Sequence, residues 1–141
     1  MDKNKRRSDC PISLSLDIFG DKWTLLILRD FMFFENRHFN ELVTIEAIST
    51  NILADRLKKL VDYGIVTKQI DEHNQSSYLY SLTKKGLELI PIVVEIYKWG
   101  ANNIEENNAD GDFKKRLNQE TEKVSQEFMD KLKTTHNIKT D

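Results

Sequence analysis

The segment that most constrains the fold is Ile48-Ser49-Thr50-Asn51-Ile52-Leu53-Ala54-Asp55-Arg56-Leu57-Lys58-Lys59-Leu60, read with the strand-like residues behind it. Ser49 carries a hydroxyl suited to accept from the first free amides of a helix. Leu53, Leu57, Leu60 and Val61 recur at helical spacing and line one face, while Asn51, Asp55, Arg56, Lys58 and Lys59 occupy the other. Gly64 is the predicted stop, because a left-handed residue after the last turn suits glycine. Ile65, Val66, Thr67 and Ile70 then favour a strand, as do Tyr78, Leu79, Tyr80 and Leu82. The stretch Asp71 to Ser77 between them is too long for a two-residue turn and predicts an open hairpin loop.

The flanks read as helices. Residues 1–9 are polar and basic and are expected to be flexible. Pro11 suits the first turn of a helix carrying Ile12, Leu14, Leu16, Ile18 and Phe19. Asp21 is a cap candidate for a second helix, Lys22 to about Phe33, whose apolar density predicts burial on most sides. Phe39, Leu42 and Val43 predict a short helix ending near Ala47. Thr83 is a cap for a long helix through Trp99, which Pro91 should kink or divide. After a polar linker, Phe113, Leu117, Thr121, Val124, Phe128 and Leu132 predict one amphipathic helix of about five turns. The reading is a mainly α fold with a small β-hairpin: a winged helix-turn-helix over residues 10–100, then a linker and C-terminal helix over 101–141.

At 141 residues the chain supports one hydrophobic core. Its apolar runs fall far short of the roughly 20 residues that span a membrane. Residues 1–10 precede no signal-peptide core, so a cytoplasmic location is expected. One cysteine excludes an intrachain disulfide and a four-thiolate metal site. His38, His73 and His136 lack ligand spacing, no glycine-rich phosphate loop occurs, and no carboxylate pair sits in an apolar setting. The expectation is therefore no catalytic residue, no metal, no cofactor and no enzyme activity.

A net charge of −2 conceals a local surplus, Arg56, Lys58, Lys59 and Lys68 against Asp55 and Asp62 in residues 49–68. Where positive charge sits matters more to a groove binder than the total. Binding to double-stranded DNA is the expected activity, with residues 50–61 as recognition helix. Thr50, Asn51, Asp55 and Arg56 are its base-reading candidates, since Asn matches adenine and Arg guanine in the major groove. Ser49, Lys58 and Lys59 suit the phosphate backbone, and His73, Asn74 and Gln75 lie at the wing tip. The rival reading is a winged helix used for protein assembly alone. Cys10 stands beside Arg6, Arg7 and a helix start, a setting that favours thiolate and makes it a candidate redox sensor. A small-molecule effector held between the post-wing helix and the winged domain is a further option, with no ligand indicated.

The motifs Cys10-Pro11-Ile12, Gly20-Asp21-Lys22-Trp23-Thr24-Leu25-Leu26-Ile27-Leu28-Arg29-Asp30 and Arg37-His38-Phe39-Asn40-Glu41-Leu42 carry a resemblance. With Ile48-Ser49, Gly64-Ile65-Val66, Tyr80-Ser81-Leu82-Thr83 and Trp99-Gly100, the chain resembles the HxlR-type family of bacterial winged helix-turn-helix regulators. The resemblance implies a homodimeric repressor or activator without enzyme activity, paired through the first helix and the helices after the wing. It makes Ile12, Leu16, Phe19, Val93, Ile96 and Tyr97 the expected dimer contacts. The C-terminal stripe, with Leu117, Val124 and Phe128, either enlarges that interface or packs on its own subunit. Some family members sense oxidants or electrophiles at the position of Cys10. The chain departs from the family at Thr50 and Asn51, where a basic residue is common, and at Gln75-Ser76-Ser77, where the wing usually holds prolines and an arginine.

Overall fold

A computed structural model describes residues 6–42 and 45–139. Helix α1, Pro11–Phe19, begins on the proline, and α2, Lys22–Phe33, is capped by Asp21, whose carboxylate accepts from the Trp23 and Thr24 amides. α2 is the central helix: Ile27, Leu28, Phe31 and Met32 are all buried. Phe39–Leu42 forms a single 3-10 turn where the apolar spacing predicts a longer helix; Val43 lies outside the described residues. α3, Thr50–Asp62, starts at Ser49, whose Oγ accepts from the Ile52 amide at 3.2 Å. It ends in a glycine cap: Gly64 has φ +73°, and the Ile65 amide turns back to the Leu60 carbonyl at 2.9 Å.

The wing is an antiparallel hairpin, β1 Val66–Asp71 and β2 Asn74–Leu82, with Val66 opposite Leu82 and Ile70 opposite Tyr78. The open loop expected over Asp71 to Ser77 is replaced by a turn of two residues, Glu72 and His73. Asp71 Oδ1 accepts from the His73 amide at 2.9 Å, closing the turn with a side chain, and the surplus residues enter β2 as an irregularity. A third short strand contact joins the hairpin along the outer edge of β2, where His38 bridges Leu79 and the Tyr80 amide donates to the Arg37 carbonyl at 2.8 Å.

Pro91 does mark a division: α4, Lys84–Leu87, is followed by α5, Ile90–Asn103, with the proline in the first turn of α5. Gly86 is required here, since a Cβ would stand 2.2 Å from the Ile65 carbonyl oxygen. The C-terminal stripe forms two helices rather than one, α6 Gly111–Gln119 and α7 Thr121–Thr135, broken at Glu120. Arg116 reaches Glu127 at 2.6 Å across the break. In a continuous helix those residues, eleven apart, would be separated by about 16 Å along the axis. The bend lets both helices pack on α5.

That packing corrects part of the expected dimer surface. Leu117 and Val124 are 1 % exposed in the core of their own subunit, and Val93 is buried with them. Phe128 packs against Phe33 with ring centroids 5.0 Å apart, and Tyr97 lies between Phe33 and Phe113. Of the expected contacts, Ile12, Leu16 and Ile96 remain exposed, with Phe19 half-buried.

Candidate nucleic-acid interface

Burying Leu53, Leu57 and Leu60 against the core leaves the opposite face of α3 in solvent. Thr50, Asn51, Ala54, Asp55 and Lys58 are all exposed there. The spacing that groups Asn51, Asp55 and Lys58 also brings in Ala54, whose methyl gives the face an apolar spot between its polar groups. Ser49 stands at the N-terminal edge with its hydroxyl engaged in capping.

Two cations expected on this surface are held by the protein itself. Arg56 Nε donates to Asp21 Oδ2 at 2.9 Å, and a second guanidinium nitrogen pairs with Asp55. Burial alone would raise the Asp21 carboxyl. Hydrogen bonds from the Thr24 hydroxyl, Arg56 and the Trp23 and Thr24 amides instead hold it at about 2. The cap of α2 is thus also the anchor of α3. Lys59 Nζ donates at 2.8 Å to the Asp17 carbonyl in the last turn of α1, where the helix leaves such carbonyls unpaired. Among the described residues Lys58 pairs with Asp62 alone, at 3.0 Å and well exposed.

At the wing tip His73, Asn74 and Gln75 are exposed. Asn74 Oδ1 accepts from the Ser76 amide and hydroxyl, at 3.2 and 2.7 Å, which shapes the tip. The structure adds two wing residues that the sequence alone does not place: Lys68, with Nζ 4.1 Å from the Tyr78 ring centroid, and Tyr78 itself. Beside the wing turn His38 bridges two carboxylates, Nε2 to Asp71 at 2.8 Å and Nδ1 to Glu41 at 2.5 Å. Those bonds, Asp71 first, raise its pKa. Behind it, the Leu82 amide donates to His136 Nδ1 at 2.9 Å, and Arg37 donates to the Thr135 carbonyl at 3.0 Å. Burial pushes His136 down to about 4, with Arg37 adding to the effect.

Cys10 is exposed at the cap position of α1. Its thiol pKa is lowered by the Ser13 and Ile12 amides of the helix start. The arginines expected to assist point elsewhere, Arg7 to Asp17 at 2.7 Å and Arg6 to Asp9 at 3.7 Å.

A capped helix with a polar outer face, a glycine stop and a hairpin wing, all set on one core, make up the DNA-binding fold of a transcriptional regulator. The HxlR-like helix-turn-helix family model matches residues 18–108, and the chain belongs to that family. It is 29 % identical over 101 residues to the HTH-type transcriptional regulator sll1512 of Synechocystis, covering 72 % of this chain and 75 % of that one. The reduced form of the transcriptional regulator YodB from B. subtilis superposes with a TM-score of 0.56 at 30 % identity, covering 72 % of this chain and all of YodB. The redox regulator HypR in its oxidised form gives a TM-score of 0.60 at 32 % identity, covering 69 % of this chain and all of HypR. The family consists of transcription regulators, not enzymes, and no helix among the described residues is long and apolar enough to cross a membrane.

Proposed function

We propose that the chain acts in the cytoplasm as a homodimeric, sequence-specific regulator on an inverted-repeat operator. The observation that carries this reading is the open face of α3, Thr50 to Lys58, standing clear of the core beside the wing. Asn51 reads adenine, Asp55 accepts from a cytosine amine, and Thr50 contacts either base type. Arg56 contributes by fixing α3 against α2 through Asp21, and reaches a base only by leaving that carboxylate. Ser49 and Lys58 meet the backbone; Lys59 does so only after releasing Asp17. His73, Asn74 and Gln75 follow the adjacent groove.

Dimerisation uses the apolar surface that remains in solvent. Ile92, Ile96 and Trp99 line one open groove of about 680 Å³ along α5, and Ile12 and Leu16 form a second exposed stripe on α1. The exposed Cys10 thiol at the head of α1 is the effector site we assign, in keeping with the redox regulator HypR among the similar structures.

Selection of bound sequences from random duplex DNA at physiological salt tests the core of this reading. A palindromic motif is the expected result. No enrichment would overturn it in favour of a protein-assembly module. Operator affinity before and after mild peroxide treatment tests Cys10, and an unchanged affinity rejects the thiol switch.

A further inference from the structure

Recognition helix and wing enclose a groove of about 480 Å³ whose lining differs from the rest of this surface. Ala54, Leu57, Lys58 and Val61 form its helix wall, and Lys68 and Tyr78 stand on its wing wall. The floor is apolar, one lysine stands on each wall with the Lys58 ammonium held by Asp62 just outside the groove, and no carboxylate is among its described lining residues. The hairpin register explains the wing wall. Lys68 lies opposite Tyr80 and Ile70 opposite Tyr78, so all four share one face, the face turned toward α3.

We infer that this groove, rather than the hairpin tip, seats the DNA backbone, with one phosphodiester held between Lys58 and Lys68 and its sugar against Ala54 and the Tyr78 ring. The inference rests on α3 being the DNA-reading helix. Charge is the first argument. Arg56, another cation of α3, is paired with Asp21 and Asp55, and Lys59 is anchored by its hydrogen bond to the Asp17 backbone carbonyl. The tip segment Asp71 to Ser77 carries two carboxylates and neither Lys nor Arg. Lys68 has no carboxylate partner among the described residues, and its ammonium is oriented in advance by the Tyr78 face. Among the described residues Lys58 has one exposed pair, with Asp62, of the kind worth little in water, so a phosphate displaces it readily. Shape is the second argument. An apolar floor between two cationic rims matches a deoxyribose flanked by an anionic ester, whereas an apolar small molecule would leave both ammonium groups without a use.

The test titrates the selected duplex against parent and variants over a range of salt concentrations. Lys68→Ala is expected to weaken binding several-fold on all sequences alike and to reduce the slope of log K against log salt by about 0.9 per bound subunit. Lys68→Arg should restore the slope. Tyr78→Phe should match the parent, and Tyr78→Ala should weaken binding with the slope retained, since it removes the platform but not the charge. His73→Ala and Gln75→Ala, at tip residues that follow the adjacent groove, should lower affinity while leaving the slope unchanged. Thermal melting by circular dichroism confirms that these exposed substitutions leave the fold intact. A Lys68→Ala slope equal to the parent's overturns the groove, as does a reduced slope carried by the tip variants instead. If the parent selects no DNA at all, the reading of α3 falls and the groove falls with it; if the parent binds and Lys68→Ala binds equally, the groove alone is rejected.

Discussion

Asp21 collects four donors: the Trp23 and Thr24 amides, the Thr24 hydroxyl and Arg56 Nε. Asp21→Ala removes a helix cap and leaves Arg56 with Asp55 alone, and should cost about 2 kcal/mol, read as a fall in the urea midpoint. Asp21→Asn keeps a capping oxygen and should lose less. Because its folded pKa is depressed to about 2 from 3.8, the Asp21 contribution is present above pH 3.8 and lost as pH falls through 2. Two histidines set the neutral range from opposite sides. His136 is depressed from 6.5 to about 4, so the unfolded chain takes up a proton that the folded one refuses. Stability should fall by about 3 kcal/mol as pH drops from 6.5 to 4, and His136→Gln should flatten that limb. His38 is raised by Asp71 and Glu41, so its contribution is full below 6.5 and is lost as pH climbs through the raised value. His38→Ala should flatten the alkaline limb only. Denaturant midpoints across pH for the two variants check both signs, and a parent curve unaffected by either substitution would contradict the bridges.

Among the elements, α6 and α7 hold the core and the wing base together. Leu132 is 2 % exposed, and Leu132→Ala should cost about 2–5 kcal/mol, while Arg116→Ala, breaking a solvent-exposed pair across the bend, should leave the denaturant midpoint nearly unchanged. Denaturant unfolding separates them. These helices also show where sequence stops informing. The bounds of α2 and the caps of α3 are legible because Asp21, Ser49 and Gly64 act on neighbours within three residues. The break at Glu120 is not, because no glycine or proline marks it and the apolar spacing continues in phase through it. Its cause is packing on α5. The tight wing turn is hidden for a local reason, the hydrogen bond that the Asp71 side chain accepts from the His73 amide, which composition does not reveal. Arg56 is legible as a surface cation but not as a clamp, since Asp21 lies 35 residues earlier in the chain. Lys68 and Tyr78 come together through strand register, and an open loop in place of the turn leaves that register undefined.

At the scale of the whole molecule, the C-terminal helices cover one side of α5 and leave the other open. Trp99 is 64 % exposed and Ile96 52 %, and Ile12 on α1 is 71 % exposed. Surface of this kind is unfavourable in water for a lone subunit and is removed when a second copy covers it. Paired Ile96→Glu and Trp99→Glu substitutions should therefore convert a dimer to a monomer by sedimentation, with helical content kept because neither side chain supports the core. Retention of the parent's sedimentation coefficient would place the interface elsewhere. DNA geometry supplies an independent reading of the same symmetry. In the proposed dimer, two rigidly held recognition helices would meet half-sites on one side of the duplex, about one helical turn apart. Inserting five base pairs between the half-sites turns the second to the far side, and affinity should drop to that of a single half-site. Inserting ten restores the facing but not the distance, so recovery should be partial at most, and the dimerisation variant should show neither effect. Equal binding to all three spacings would mean that each subunit reads its half-site alone.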